Sequence, residues 1–383
     1  MHSPRNLLLA LAAPVAFAAF PANAPSQGDL LYTMSDSLHV VDLATMNTVA
    51  TIPVLDQANN GANWSNGMAR DPVTGMVWAI IRFYPTIGTR RLCTLDLTTG
   101  VATIVGTLTD RFASIAFRQD GTLFGVTGDG ANVPETLYTI DKTTAQATFV
   151  ATLGNGNDGE AITFGMDGLL YHASGNGVPN VDQIFESIDT GNGNAVSNIT
   201  LSGYDSLEVL AMTPYAGDLM LACTLNWDLL AVTTSGHVSL LGTLWNHDSK
   251  GIVIVPSPST QAHFRAYGSG CQASGGAIPI LIGSGTPIAG RSVSLQLRLT
   301  PTQSFGLLAW GSGSNALQLP WTTCQLEVSP LLVTDGFVTP ASGITTFPIV
   351  LPPAFPPIDL YLQCGVVDGG LFALSNAVRM HTR

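Results

Sequence analysis

Five segments of the chain share one pattern of apolar and turn-forming residues. Each starts with glycine and continues as a short apolar run, and the starting glycines lie about 47 residues apart. A further apolar run precedes four of these segments, and two more runs follow each segment. Short apolar runs bounded by turn residues are typical of strands, so the pattern predicts repeated units of four short strands. The segments are GDLLYTMSD (28–36), GMVWAI (75–80), GTLFGVTGD (121–129), GLLYHASG (168–175) and GDLMLAC (217–223).

A four-stranded unit with this period predicts a β-propeller, in which each repeat forms one blade. Gly28 has no first strand before it, whereas GIVIVP (251–256) is a first strand with no blade after it. Because these fragments complement each other, we expect the N- and C-terminal strands of residues 25–256 to share one blade and close the ring. The predicted fold is therefore all-β, with a five-bladed β-propeller. A very short sixth blade between Asp56 and Asn66 is an alternative.

The chain that follows has a different pattern. A short Pro/Ser linker is predicted at 257–262, where composition and charge both change. SVSLQLRL (292–299) then alternates polar and apolar residues, as a half-buried strand does. Other apolar runs are separated by turn clusters, and no helical pattern intervenes. These features predict an antiparallel β-sandwich over residues 263–383.

The first 24 residues have the pattern of a secretory signal peptide. Arg5 precedes an apolar stretch that ends at Phe20, and Ala22-Asn23-Ala24 fits a cleavage site. We therefore expect an exported protein that is secreted, periplasmic or held at the cell surface. No later apolar run has membrane-spanning length, so no transmembrane segment is expected after the signal is removed.

Charge is unevenly divided between the two predicted domains. Residues 25–261 carry 22 acidic and 8 basic residues, whereas residues 262–383 carry 4 and 5. An acidic chain without a basic stripe cannot displace the counterions of nucleic-acid phosphates, which argues against a nucleic-acid partner. A cation, a glycan or a protein ligand is compatible with this charge.

The five cysteines include no C-x-x-C pair, which argues against a zinc ribbon or a thioredoxin-like site. Export favours disulfides. The preferred pairing is Cys271 with Cys324, a bridge that would stabilise the fold by about 4 kcal/mol in the chain-entropy view. An odd number of cysteines leaves at least one unpaired within the chain.

An aspartate recurs where the third strand of a unit ends. At such a bend the carboxylate can accept a hydrogen bond from the backbone two residues further on, so we predict a turn-forming role. The residues are Asp42, Asp96, Asp141 and Asp189. The stretch GNGNDG (154–159) also matches G-x-G-x-x-G, but a strand follows it instead of a helix, so we reject a dinucleotide site.

Acidic and amide residues also recur just before the first strand of each unit. In a propeller this strand is innermost, so these residues are expected around the mouth of the central channel. The first set is Asn63, Asp110, Asp158, Asp205 and Asp248, and the second is Asn66, Ala113, Glu160, Glu208 and Lys250.

Two interpretations of this mouth compete. The first set can cap turns by accepting backbone hydrogen bonds. Alternatively, crowded carboxylates hold a ligand or a hard cation such as Ca²⁺, which binds six to eight oxygens. Glu160 and Glu208 favour the second interpretation because turn formation does not explain them, although Lys250 could pair with one of them. The candidate ligand or metal residues are Asp110, Asp158, Glu160, Asp205, Glu208 and Asp248.

Other residues near the mouth admit two roles each. Trp64 and Trp245 could stack on a sugar ring or pack between blades. His247 could be a base or metal ligand, or a solvated loop residue.

The function expected from the sequence is non-catalytic binding at the mouth. The alternatives are a polysaccharide hydrolase or lyase that uses mouth carboxylates, and a structural component of the cell envelope.

Both parts of the chain resemble uncharacterised secreted bacterial proteins. The segments AYGSGCQASGGAIPIL, SVSLQLRL, GLLAWGSGS, CQLEVSP and IDLYLQCGVVDGG are similar to a C-terminal domain of unknown function, and the IAF…DGTLFG and LYTID segments are similar to extracellular propellers. The resemblance implies a bridge between the opening and middle cysteines, in agreement with Cys271–Cys324. Cys364 stands where an aromatic residue is expected. The resemblance implies no activity and transfers no catalytic residue.

Overall fold

The structure is a computed structural model that describes residues 30–153, 160–175, 183–206, 208–244, 249–256, 261–320 and 324–383. Every regular element in these ranges is a β-strand, which confirms the all-β prediction. No helix of the described part is long and apolar enough to cross a membrane.

The first part of the chain contains short strands joined by tight turns. These strands are β1 (Leu30–Met34), β2 (Ser37–Asp42), β3 (Asn47–Pro53), β4 (Leu55–Asp56), β5 (Ala62–Arg70), β6 (Val77–Phe83), β7 (Arg91–Leu95), β8 (Val101–Thr107), β9 (Phe112–Phe117), β10 (Leu123–Thr127), β11 (Thr136–Ile140), β12 (Ala147–Thr152), β13 (Glu160–Phe164), β14 (Leu170–Ser174), β15 (Ile184–Asp189), β16 (Ala195–Asn198), β17 (Ser202–Gly203), β18 (Val209–Ala216), β19 (Leu219–Thr224), β20 (Asp228–Thr233), β21 (His237–Thr243) and β22 (Gly251–Val255).

These strands form five open, mainly antiparallel sheets. Their strand orders are β22-β1-β2-β3, β4-β8-β7-β6-β5, β12-β11-β10-β9, β13-β14-β15-β16 and β17-β21-β20-β19-β18. Neighbouring sheets contact each other through β5, β9, β13, β18 and β22, which we call the first strands. The contacts join β5 to β9, β9 to β13, β13 to β18, β18 to β22 and β22 to β5. β22 pairs antiparallel with β1, so that Leu31 lies opposite Ile254.

β6 is apolar from Val77 to Ile81, and both of its faces are buried there. Successive side chains of a strand point to opposite faces. Trp78 and Ile80 pack in a core with residues of β9, whereas Ala79 and Ile81 pack in a second core with residues of β1 and β2. A sheet covered on both faces therefore needs continuous apolar runs, and β10, β14 and β19 are likewise buried throughout.

The repeated glycine and aspartate both form turns. The glycine that precedes each second strand has a positive φ at Gly75, Gly121, Gly168 and Gly217, a conformation that residues with a Cβ rarely adopt. Asp96 accepts hydrogen bonds from the amides of Thr98 and Thr99 at 2.8 and 3.1 Å. Asp42, Asp141 and Asp189 accept the amide two residues on in the same way, which confirms the predicted turn role.

Among the described residues after 262, ten strands form three sheets. These strands are β23 (His263–Tyr267), β24 (Ile280–Ser284), β25 (Ser292–Arg298), β26 (Phe305–Gly311), β27 (Ser314–Gln318), β28 (Gln325–Val328), β29 (Leu331–Val338), β30 (Thr345–Val350), β31 (Asp359–Asp368) and β32 (Leu371–His381). The sheets have the orders β23-β32-β31-β26-β29, β24-β25-β30 and β27-β28. One core cluster takes side chains from both larger sheets, including Leu295 of β25 and Leu362 of β31.

The predicted disulfide between Cys271 and Cys324 is confirmed, with their Cα atoms 5.2 Å apart. Both cysteines pack with Leu374 of β32 in a small apolar cluster. The other three cysteines, Cys93, Cys223 and Cys364, are unpaired and buried.

The two parts of the chain share an interface. Leu31, Leu229 and Ile280 belong to one buried cluster, so that β24 packs on the sheets of β1 and β20. The buried Arg298 of β25 donates hydrogen bonds to the backbone carbonyls of Ala44 and Leu241. Arg298 therefore contacts the sheet of β1–β3 and the sheet of β18–β21 at once.

Candidate functional site

The described site residues Asp110, Asp205 and Glu208 flank the starts of first strands, and we call this region the strand-start end. Backbone contacts bring several of these starts together. The Lys250 carbonyl accepts a hydrogen bond from Gly67 of β5 at 2.6 Å, and the Ser65 hydroxyl donates to the Met34 carbonyl at 2.9 Å. β5 therefore lies in direct contact with the residue that precedes β22 and with the end of β1.

Asp110 has the hydrogen bonds of a turn-forming residue. Its carboxylate accepts the amides of Arg111 at 2.8 Å and Asn132 at 2.9 Å, and it tethers the loop after β10 to the start of β9. Val133 donates a longer bond of 3.4 Å. The capping interpretation accounts for Asp110 without a ligand.

Of the other five predicted residues, Asp205 and Glu208 are described. Asp205 is exposed beside Tyr204. The backbone carbonyl of Glu208 accepts the Leu225 amide at 2.9 Å. Asp158 and Asp248 lie outside the described residues, as do Trp245 and His247, and so does the side chain of Glu160 at the start of β13.

Within the described ranges, no three His, Cys, Asp or Glu side chains lie close enough together to hold a metal ion. The predicted Ca²⁺ site depends on residues beyond those ranges, and it stays a prediction.

Cations gather around Trp64 at the strand-start end. Trp64 of β5 lies directly opposite Arg82 of β6 in the sheet, and the Arg82 guanidinium is 5.8 Å from the centre of the indole ring. The Lys250 Nζ is 5.4 Å from the same ring. Cations at this distance are attracted to the negative face of an aromatic ring. The ring therefore lies close to two positive charges, and its predicted roles in packing or in stacking on a sugar stay predictions.

Two more arginines extend this positive region. Arg90 donates a hydrogen bond to the Phe112 carbonyl at the start of β9. Burial, followed by repulsion from Arg82 and Arg111, lowers the pKa of Arg90 to about 10. Asp110 and Asp129 act in the opposite direction and offset part of this repulsion. We call Trp64, Arg82, Arg90, Arg111 and Lys250 the Trp64 cluster.

None of the four cations of the Trp64 cluster forms an ion pair with a described carboxylate. The Arg82 Nε is buried and has no hydrogen-bond partner in the described part of the chain. By contrast, Arg118 pairs with Asp120 at 2.6 Å, and Lys142 pairs with Asp71 at 2.9 Å. Sequence reasoning missed the cluster, although the closely spaced bases between residues 82 and 111 were a signal of it.

A groove lies beside the Trp64 cluster. Asn63 donates a hydrogen bond to the hydroxyl of Tyr84 at 2.7 Å, and Tyr84 is 55% exposed. Tyr84 lines an open groove of about 450 Å³ together with Arg91, Gln57 and Asn60. The groove offers phenol, amide and guanidinium groups to a ligand, and the carboxylate of Asp56 also lines it.

Comparisons with known proteins do not assign a function. No protein-family model matches the sequence, and no curated protein is similar to it in sequence. A gluconolactonase from Xanthomonas campestris shares 10% identity over 93% of this chain and 99% of its own, with a TM-score of 0.37. An auxiliary nutrient binding protein from Bacteroides ovatus shares 9% over 89% and 83%, with a TM-score of 0.33. YCF48 from Cyanidioschyzon merolae shares 8% over 94% and 97%, with a TM-score of 0.32. Likenesses this weak carry no argument.

Proposed function

We propose that the chain is an exported, non-catalytic binding protein whose ligand is an anionic glycan held at the Trp64 cluster. One observation indicates that the ligand is anionic. Residues 25–261 contain 22 acids and only eight bases, yet Arg82 and Lys250 both lie over the Trp64 ring, and Arg90 and Arg111 are close enough to Arg82 to repel it. An anionic ligand would relieve the part of this repulsion that Asp110 and Asp129 do not offset.

The proposal includes the architecture of a five-bladed propeller. The five sheets would be the blades, and β22 with β1–β3 would be the blade shared by both ends of residues 25–256. The contacts among first strands, which lead from β5 through β9, β13 and β18 to β22 and back to β5, support a closed ring. Residues 263–383 would form a β-sandwich, which the core shared by their two larger sheets supports.

The chemistry of the Trp64 cluster suits carboxylates or sulfates on a sugar. Guanidinium groups make paired, charge-assisted hydrogen bonds with planar oxyanions. The adjacent groove adds Tyr84, Gln57 and Asn60, whose phenol and amide groups match sugar hydroxyls. A polymer with repeated charges could lie over Trp64 and continue along the groove past Arg91.

The test compares a polyuronate with a neutral glycan of similar length. Isothermal titration with polygalacturonate should show binding that weakens as salt rises, because exposed charges are screened. Neutral dextran should bind at least tenfold more weakly, because it cannot accept charge-assisted hydrogen bonds. Arg82→Gln combined with Lys250→Gln should weaken polygalacturonate binding by about tenfold or more.

The matched control removes two positive charges elsewhere. Arg118→Gln combined with Arg291→Gln changes the net charge equally but leaves the Trp64 cluster intact. Melting temperatures show whether each double variant is folded. If both double variants lose the same affinity for polygalacturonate, the weaker binding reflects the change in net charge and not the Trp64 cluster. If polygalacturonate does not bind even at low salt, the proposal is refuted.

A further inference from the structure

A second cavity lies at the opposite end of the first strands. It has a volume of about 500 Å³ and is lined where β5, β9, β13, β18 and β22 end. Trp64 and Arg70 stand near the two ends of β5, and six residues of extended strand span roughly 20 Å. The cavity is therefore separate from the Trp64 cluster.

The charged residues of this cavity are both arginines. Arg70 ends β5, and Arg265 belongs to β23 in the last part of the chain. None of the described residues that line the cavity is Asp or Glu. Two arginines therefore line one cavity, in a molecule whose formal net charge is −12.

Asp71, the acid nearest to Arg70 in sequence, already binds other groups. Asp71 is buried, binds Lys142 at 2.9 Å and also accepts the amide of Val73 at 2.9 Å. Arg70 itself forms no ion pair with a described residue, and its buried Nε has no hydrogen-bond partner there. The guanidinium of Arg70 lies close to Gly75, where an added Cβ would stand 3.0 Å from one of its terminal nitrogens, and no described carboxylate neutralises it.

No described carboxylate neutralises Arg265 either. It lies directly opposite Arg379 in the sheet, and the carboxylate of Asp359 binds Arg379 at 2.8 Å. Arg265 is exposed and has no ion-pair partner among the described residues. Since Arg265 comes from the last part of the chain, both parts build the cavity.

The remaining walls mix apolar side chains with the polar side chains of Gln119, Thr163 and Thr213. Phe117, Phe164, Ile254 and Pro256 line the cavity, and Met166 stands 61% exposed at it. Small-molecule sites have volumes of about 300–1,000 Å³ and combine apolar walls with a few polar groups. We propose that this cavity binds a small amphiphilic anion, with its carboxylate or phosphate group between Arg70 and Arg265 and its apolar body against the walls.

Three ligands that share one apolar body separate the contribution of the charged head group from that of the apolar body. Isothermal titration of the protein with octanoate, octyl phosphate and octanol varies only the head group. At least one of the two anions should bind about tenfold or more tightly than octanol, because a charged hydrogen bond to arginine contributes that much. The stronger anion identifies the head group.

Substitutions then locate the site. Arg70→Met and Arg265→Met should each abolish the preference for the anion over octanol, whereas Arg118→Met and Arg291→Met should leave it unchanged. Arg70→Lys keeps the charge and is used if Arg70→Met lowers the melting temperature. The proposal is overturned if neither anion binds better than octanol, or if the preference survives both cavity substitutions. Polygalacturonate binding at the Trp64 cluster is independent of these outcomes.

Discussion

At Gly67, β5 of one sheet passes very close to β9 of the next. A Cβ at Gly67 would lie 2.8 Å from the Ser114 Cα and 2.8 Å from the Ile115 amide nitrogen, and the residue has a φ of +79°. Both obstacles are backbone atoms and cannot rotate away. We expect Gly67→Ala to lower the free energy of unfolding by about 2–3 kcal/mol.

Urea denaturation measures this loss, and Gly88→Ala is the control because a Cβ there meets nothing within 4 Å. If both variants unfold at the same urea concentration as the parent, β5 and β9 do not approach each other as described.

The three unpaired cysteines should be inert in the folded protein. Burial raises the pKa of Cys93 to about 12, and it raises the pKa values of Cys223 and Cys364 as well. Since the thiolate is the reactive form, Ellman's reagent at about pH 8 should modify none of them in the native state. Three thiols should react in denaturant without reductant, because Cys271 and Cys324 remain bridged. Rapid modification of one thiol in the native protein would contradict its burial.

Single residues differ in how far the sequence reveals their roles. Asp42 and Asp96 were predictable because a turn aspartate acts on its own neighbours, two residues along the chain. The contacts of Trp64 were not, because Lys250 reaches it from a distant segment and only the fold brings the two together. Spacing along the chain shows local hydrogen bonds but not contacts between sheets.

At the scale of elements, the hairpin between β11 and β12 depends on one carboxylate. Asp141 accepts the hydroxyl and amide of Thr143 at 2.6 and 2.8 Å, and the hydroxyl and amide of Thr144 at 3.1 and 2.8 Å. These bonds, with the Thr143 hydroxyl foremost, lower the pKa of Asp141 from 3.8 to about 2.

Because the pKa of Asp141 is lower in the folded state than in the unfolded state, the stability that this carboxylate contributes decreases at low pH. The stabilisation by Asp141 is complete above its unfolded pKa, and it is lost as the pH falls through the folded value near 2. We therefore expect Asp141→Asn to melt below the parent protein at neutral pH, with a difference that shrinks between pH 4 and pH 2. Thermal unfolding by circular dichroism at several pH values measures this difference.

Asp189→Asn is the control, because the Asp189 side chain accepts a backbone hydrogen bond from Gly191 at 3.0 Å and none from a threonine hydroxyl in the described part of the chain. A difference for Asp141→Asn that stays constant down to pH 2 would show that the carboxylate charge does not stabilise this turn.

The sequence predicted most strands of the first part of the chain, but it did not predict all of them. Continuous apolar runs such as β6 and β14 indicated strands, since both faces of their sheets are buried. The two-residue strands β4 and β17 were missed. They add to β8 and β21 in parallel, and two residues are too short to show any apolar period.

At the scale of the whole molecule, Arg298 joins the two parts of the chain. SVSLQLRL predicted a half-buried strand, and Val293, Leu295 and Leu297 of β25 are indeed buried in the core of the last part. Alternation alone would place Arg298 with the polar residues of this strand. Instead it is only 9% exposed, because it turns toward the first part and binds the Leu241 carbonyl at 2.9 Å.

Replacing Arg298 should therefore uncouple the two parts. Arg298→Met removes the donors for the Ala44 and Leu241 carbonyls and leaves these acceptors without their partner at the interface. Unsatisfied buried groups cost about 1–3 kcal/mol each, so the free energy of unfolding should fall by about 2 kcal/mol or more. Differential scanning calorimetry should show one transition in the parent and two in the variant, because the last part would then unfold separately.

Arg291→Met is the matched control, since Arg291 is exposed and lies outside this interface. A single unshifted transition in Arg298→Met would mean that the apolar cluster of Leu31, Leu229 and Ile280 holds the parts together without the arginine. If two transitions appear, the same variant becomes a tool for the second cavity. Arg265 and Arg70 come from different parts, so an anion bound between them should raise the lower transition and restore cooperative unfolding.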